Sequence, residues 1–394
     1  MSKVGELIRE LCPDGVQRVA LSEVAQRQKG MPITATKMKE LAETPGMLRI
    51  YAGGQTQVDV DPRLIEEKYI INEPSVIVRS RGYIDFARSN GPFTHKNEMW
   101  SYSVKDVRAN ISFIYYYLLT QRPALQLHAQ ATSVKLPQLS VADTDNLQIP
   151  LPPLQVQEEI VRILDQFVEL DRELEQEIGG RELQKTALSN ALFDQLSAYP
   201  LVPLQSIGTW FGGGTPSKKN DSFWKNGVIP WVSPKDMQGH SVTSTVDYIT
   251  EEAVAGSSAK LVPAGSTALV TRSSILDKRL PVAYFPQTVA MNQDLKAVCP
   301  QDGVNGRYLF NALEHSRESI LLQAHKKGGS VASLDTKRLM LFEVPLPPLE
   351  VQQEIAAKLD TFTEYIENLK RERELRQKQY EYYRDLLLDF PVKE

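Results

Sequence analysis

Two stretches of the chain carry a helical rhythm of unusual length. After Pro153, Ile160, Leu164, Phe167, Leu174, Ile178, Leu188 and Leu192 occupy the a and d places of a heptad. After Pro348, Ile355, Leu359, Phe362, Ile366, Leu369, Tyr380, Tyr383 and Leu387 do the same. A sustained 3.5-residue period leaves a narrow apolar seam that needs another helix to cover it. A helix of ~40 residues runs about 60 Å, too far to bury itself on one globular domain. The pattern therefore predicts that the two helices pair with each other, antiparallel. Asp171, Arg181, Arg373 and Arg376 interrupt the seam. Gly179-Gly180 costs roughly 1 kcal/mol per residue relative to alanine and predicts a kink or short break in the first helix.

Elsewhere the pattern shortens. Tyr69-Ile70-Ile71, Val76-Ile77-Val78, Val228-Ile229 and Thr267-Ala268-Leu269-Val270 are strand-like runs between turns of Gly, Pro, Asn and Asp. One further helix is expected near residues 110–121 and another near 305–324. The fold class is α+β: two globular domains of mixed, mostly antiparallel sheet plus helices, joined by two long antiparallel coiled-coil helices.

The chain repeats itself. Residues 149–167 and 344–362 are identical at 12 of 19 positions, at an offset of 195. Upstream, Val76-Ile77-Val78-Arg79-Ser80 resembles Leu269-Val270-Thr271-Arg272-Ser273. Asn97-Glu98 lies 195 residues before Asn292-Gln293. The repeat gives an internal pseudo-two-fold and four segments: a globular domain over 1–148, a helix over 149–197, a second globular domain over 198–343 and a second helix over 344–394. In the shared signature, prolines hold the chain extended and then permit a helix to start at Pro153 and Pro348.

Charge follows the same division. The net value is −4 for the whole chain. It separates into +2 over residues 1–153, −6 over 154–199, +3 over 200–348 and −3 over 349–394. The acidity lies in the helices, so the globular segments remain open to a polyanion. The two cysteines, Cys12 and Cys299, can build neither a disulfide framework nor a zinc site alone. No apolar run approaches the ~18 residues of a membrane span, and Met1 to Glu10 lacks the apolar core of a signal peptide. A cytoplasmic protein without membrane association is the expectation.

With these features in view, the sequence resembles the specificity subunit of type I restriction–modification enzymes. The resemblance rests on Glu10-Leu11-Cys12-Pro13-Asp14-Gly15-Val16, on the doubled P-L-P-P-L-x-V-Q-x-E-I at Pro150–Ile160 and Pro345–Ile355, and on Gly213-Gly214-Thr215-Pro216-Ser217 leading to Trp231. The alternation of globular segment and helix completes it. The resemblance implies two target-recognition domains, each reading one half of a bipartite double-stranded DNA site, with the helices as a spacer. It implies docking of two methyltransferase subunits and, in the restriction complex, of motor-nuclease subunits. It implies a chain that is not itself an enzyme and has no cofactor of its own. S-adenosylmethionine, ATP and magnesium are then expected only on the partner subunits.

The residues leave two other readings to weigh, a stand-alone DNA endonuclease and a protein-only coiled-coil scaffold. Asp61, Glu66 and Lys68 are a nuclease-like set. Gly212 to Lys219 has the glycines of a phosphate loop at the wrong spacing, and five histidines show no metal-ligand spacing. DNA binding needs cations for phosphates and forked or amide side chains for base edges. The candidates are Arg79, Arg81, Lys96, Asn97 and Lys135 in the first half. In the second they are Lys218, Lys219, Lys235, Arg272, Asn292, Gln293, Lys326, Lys327 and Ser330. Trp224 and Trp231 are expected in the core.

Overall fold

The computed structural model describes residues 3–133, 135–326 and 331–393. It divides into two compact units: Met1–Glu173 with Glu372–Glu394, and Leu174–Arg371. Each unit holds one globular segment and one part of each long helix, so the division cuts across both helices.

In the first unit the strands are β1 (Ala25–Lys29), β2 (Leu48–Tyr51), β3 (Gln57–Val60), β4 (Ser75–Arg79), β5 (Asp85–Ser89), β6 (Phe93–His95) and β7 (Trp100–Val104). They form a four-stranded antiparallel sheet of order β1-β7-β4-β5 and a three-stranded sheet of order β3-β2-β6. In the smaller sheet β2 and β6 run parallel, with Tyr51 opposite His95. Strand β4 shows why its run is apolar throughout. Side chains alternate between faces: Val76 and Val78 join one core with Phe86 and Tyr102, whereas Ile77 joins another with Tyr51 and Phe93. Helix α1 (Ile111–Thr132) covers the first of these faces with Phe113, Ile114 and Tyr117. It is longer than the pattern predicts and continues through Pro123. Its first turn is capped by Asn110, whose side chain accepts from the N–H of Ser112 and of Phe113. The chain's last residues finish this core: Leu388 and Phe390 are buried in it, and Val392 bridges Val16.

The second unit repeats the plan. Its strands are β8 (Gly208–Gly212), β9 (Ile229–Val232), β10 (Asp247–Ile249), β11 (Leu261–Val262), β12 (Thr267–Val270), β13 (Val282–Tyr284), β14 (Val289–Met291) and β15 (Leu295–Pro300). The sheets have orders β8-β15-β12-β13 and β10-β9-β14-β11, with β9 and β14 parallel. Helix α2 (Gly306–His315) packs Leu309, Phe310 and Leu313 into the core. The strand orders match those of the first unit element for element, with β11 as an addition.

The proline signature ends one structure and starts another. Gln148–Pro150 pairs antiparallel with Arg18–Ala20, and Glu343–Pro345 with Leu201–Pro203. Helix α3 (Leu154–Asp194) and helix α4 (Leu349–Leu388) begin directly after Pro153 and Pro348. In the first unit the two helices run antiparallel. Arg373 donates to both carboxylate oxygens of Asp171 at 2.9 and 3.0 Å, so two of the polar interruptions answer each other. Phe167 lies against Tyr380 and Tyr383. In the second unit Tyr365 donates to Glu177, and Lys370 pairs with Glu182.

Two expectations fail here. Helix α3 passes through Gly179 and Gly180 without a break. Nothing lies within 4 Å of a Cβ built at either glycine, so they serve no close approach. Burial of Ile178 and the Arg181–Glu177 pair hold the helix across them, outweighing roughly 2 kcal/mol of glycine cost. The seam also does not pack on the other helix alone. Ile160 and Leu164 sit in the globular core of the first unit, and Ile355 and Leu359 pack with Tyr308 and Ala312 in the second. The first turns of each helix are thus part of the domain that precedes them.

One buried ionic group in the second unit has a testable consequence. Glu314 accepts from Lys185 at 3.2 Å and lies 2.7 Å from His240 Nδ1. Burial pushes its carboxyl up, but the hydrogen bond with His240 and the charge of Lys185 outweigh that and hold it down to about 2, from an ordinary 4.5. A depressed carboxyl stabilises above its unfolded value and loses that contribution as pH falls through its folded value. The second unit should therefore lose about 3 kcal/mol of stability between pH 5 and pH 2. Glu314→Gln should be less stable near neutrality, because Lys185 is left buried without its counter-charge. It should also show a flatter acid limb in denaturant titrations, and an acid limb as steep as the parent's counts against this assignment.

Candidate nucleic-acid interface

Parallel pairing of β2 with β6 brings their C-terminal ends to one edge of the first unit. Strand β4 ends beside the start of β7, since Val78 lies opposite Trp100. The turns after β2, β4 and β6 therefore converge, and they enclose a cavity of about 210 Å3 lined by Gly53, Gly54, Arg79, Arg81, Glu98 and Leu136, among others. Arg79 is buried and donates from Nη1 to Gln55 Oε1. Arg81 is exposed and bridges Gln138. Lys96 pairs with Glu98 at 3.0 Å, whereas Asn97 and Lys135 are exposed.

The same edge exists in the second unit. Arg272 is exposed, bridges Ser333 and donates to Asp294 at 2.7 Å. The hydrogen-bond register corrects the sequence alignment. Leu139 N–H donates to Ser80 and Leu334 N–H to Thr271, while Gly82 N–H donates to Pro137 and Ser273 N–H to Ala332. Gln138 and Ser333 are a repeat length apart, so Arg272 corresponds to Arg81 and not to Arg79. Residue identity alone favoured the wrong arginine because the two copies differ in length between this strand and the bridging segment. Arg79 has no carboxylate partner among the described residues, unlike Arg272.

The remaining candidates fall around this edge or near it. Asn292 is buried; its amide donates to Asp294 and its carbonyl accepts from Asp294 N–H, so it shapes the turn after β14. Gln293 is exposed and accepts from Thr215 at 2.6 Å. Lys235 is exposed and pairs with Asp247. Lys218 and Lys219 are exposed in a turn, and Lys326 is exposed at the end of a two-residue strand. Lys327 and Ser330 lie outside the described residues.

The glycine block acts as a brace. A Cβ on Gly213 would stand 1.9 Å from the Asn292 carbonyl oxygen, and one on Gly214 would stand 2.4 Å from that of Ser258. Trp231 is buried and donates to Gly214 O at 3.1 Å; Trp224 is half-buried and donates to Ser217 O. The rings meet edge to face, which fits the expectation that both belong to the core. Close backbone approach and two indole N–H groups thus fix the segment that leads into Lys218 and Lys219.

Sequence reasoning passed over Gln157 and Gln352, inside the signature. Each is buried, accepts from the backbone N–H of Asn110 or Asn305 at 2.8 Å, and donates to two backbone carbonyls. The carbonyls belong to Arg108 and Pro152 in one copy and to Gly303 and Pro347 in the other. A glutamine at the same place in both copies of the signature was the available signal. The nuclease-like set is otherwise engaged: Asp61 pairs with Arg63, and Lys68 with Glu66. Among the described residues no group of His, Cys, Asp and Glu could hold a metal ion, and no helix is long and apolar enough to cross a membrane.

Comparison with known proteins gives a concordant result. The family model described as type I restriction modification DNA specificity domain matches residues 13–179 and again 199–377. The Escherichia coli type I restriction enzyme EcoR124I/EcoR124II specificity subunit is 45% identical over 306 residues, covering 74% of each chain. A Methanocaldococcus jannaschii relative, the type I restriction enzyme MjaIX specificity subunit, is 32% identical over 191 residues, covering 48% of this chain and 43% of its own length. The fold is similar to the crystal structure of the S subunit of a type I restriction–modification system from M. genitalium, with a TM-score of 0.63, 16% identity and 94% of both chains covered.

Proposed function

The chain belongs to the family of type I restriction–modification DNA specificity domains, and from that premise we propose that each of its globular domains reads one half of a bipartite duplex DNA site. The observation that carries this reading is the pairing of a shared frame with unshared edges. Apart from the added strand β11, both units have the same strand order, and both have the glutamine clamp and a corresponding exposed arginine, Arg81 or Arg272. The turns around those arginines differ: a cavity lined by glycine and arginine in one unit, a tryptophan-braced glycine block in the other. A common frame presents two readers in equivalent settings, and the different turns give them different bases to read.

In this proposal phosphate contacts position the domain and base-edge contacts specify the sequence. The exposed cations Arg81, Lys135, Lys218 and Lys219 serve the first role. The long helices set the gap between half-sites and carry the surface on which two methyltransferase subunits dock. The chain supplies no catalytic group. S-adenosylmethionine is used by the methyltransferase partners, and ATP and magnesium by the motor-nuclease partners, in the cytoplasm of the cell.

The chain, assembled with its methyltransferase subunits and S-adenosylmethionine, should methylate adenines in two short motifs at one fixed separation. Sequencing of the methylated DNA reads this directly. A single contiguous motif would refute two-domain reading. Cleavage by the chain alone, lost in Lys68→Ala, would point instead to a nuclease. Absence of any salt-dependent DNA affinity in the assembled complex would leave a scaffold.

A further inference from the structure

Arg79 stands apart from every other cation at this edge. It is 6% exposed, forms no ion pair among the described residues, and leaves its buried Nε without a hydrogen-bond partner. A buried donor on a charged group is costly to leave unpaired. Among the described residues its guanidinium makes one hydrogen bond, from Nη1 to Gln55, which ties down one corner. Arg79 borders the cavity shared with Gly53, Gly54 and Arg81. Gly54 has φ of +63°, and a Cβ built on it meets nothing within 4 Å, so the rim is open. Glu98 in the wall has its charge answered by Lys96 at 3.0 Å. What the cavity presents is therefore net positive and forked, the pattern that matches a two-oxygen anion.

Resting on the DNA-reading function proposed above, we propose that this cavity is a seat for one backbone phosphate of the first half-site, with Arg79 as the residue that holds it. Geometry decides between phosphate and base. An arginine that reads a base edge must project into a groove, because base edges lie on the groove floor. Arg79 cannot project: it forms the wall of a concavity and meets only what enters. Phosphates are the outward-standing groups of a duplex and can enter. The seat therefore fixes the register of the first domain, and the exposed side chains around it read the bases. Among the described residues of the second unit no arginine takes the place of Arg79, since Arg272 is paired with Asp294 and corresponds to Arg81.

The test uses the chain assembled with its methyltransferase subunits and duplexes carrying the full site, in which single phosphates across the first half-site are replaced by uncharged methylphosphonate. For the parent complex, one position should weaken binding by roughly tenfold or more. Arg79→Met should bind less tightly, be indifferent at that position, and lower the slope of log affinity against log salt by about 1. Gly53→Val provides a second route, because its Cβ meets only Glu98 Oε1 at an ordinary 3.5 Å and the added side chain occupies the lining of the cavity while Arg79 itself is kept. It should lose the same sensitivity with an unchanged melting temperature. Sensitivity at the same position and of the same size in both variants overturns the proposal. So does a position at which base replacement, and not methylphosphonate, shows the dependence on Arg79. If the parent complex has no preference for duplex DNA at all, the DNA-reading function itself has failed, which is a distinguishable result.

Discussion

Gln157→Leu unfolds the first unit at a clearly lower denaturant concentration than the parent chain, and Gln352→Leu does the same to the second. Each glutamine is itself buried and satisfies three backbone groups, one N–H and two carbonyls, on segments that meet at the start of a long helix; of the three bonds, the one to Pro152 or Pro347 is fully buried and the other two are half-buried. Leucine is of similar size but can pair with none of them. A buried polar group stripped of its partner costs about 1–3 kcal/mol, and with one such group fully buried in each copy the expected loss is about 1–3 kcal/mol in each unit. Gln155→Leu and Gln353→Leu are the controls. Both residues are exposed on the same helices, and substitution there should stay within about 0.5 kcal/mol. Segment-resolved hydrogen exchange under increasing urea separates the two units. A clamp variant that unfolds with its control would show that these bonds are replaced by water at no cost.

The clamp also marks where reading by pattern stops. Apolar spacing predicts the two long helices, their antiparallel pairing and their start after Pro153 and Pro348, because a heptad seam and a proline boundary are both local signals. It does not predict that Ile160, Leu164, Ile355 and Leu359 face the preceding domain. A period of 3.5 residues states that a face is covered and leaves open by what. Gly179-Gly180 misled for a related reason: propensity is local, and packing of Ile178 overrides it. Strand order was out of reach, since the parallel pairs β2–β6 and β9–β14 join segments far apart in the chain. The candidate site was legible as a set of basic and amide residues at strand ends. Its internal accounts were not. Asn292 is occupied with Asp294, and Lys235 with Asp247, whereas Arg79 is left with a donor to spare. Arg81 was grouped with Arg79, yet backbone hydrogen bonds make it the counterpart of Arg272.

Gly213→Val should remove recognition of the second half-site while leaving the first intact. The clash is backbone against backbone. A Cβ at this position stands 1.9 Å from Asn292 O and 2.4 Å from Met291 O, and no rotamer moves a Cβ. Either the glycine block lifts away or the end of β14 gives way. Lifting the block strips Trp231 Nε1 of its acceptor at Gly214 and separates Thr215 from Gln293. It also releases the turn that carries Lys218 and Lys219. Yielding at Asn292 disturbs Asp294, and through it Arg272. Both routes disorganise the same edge, and both run through residues of the second unit. A half-site contains several base pairs, each worth about 1–3 kcal/mol, so affinity for the full site should fall at least about 100-fold. The parent complex should bind a full site far more tightly than DNA carrying only the first half-site, whereas Gly213→Val should bind both at the lower level. Gly212→Ala is the control, because its Cβ meets nothing within 4 Å. Retained preference for the full site in Gly213→Val would place second-half recognition away from the glycine block, on the segment around Lys326 instead.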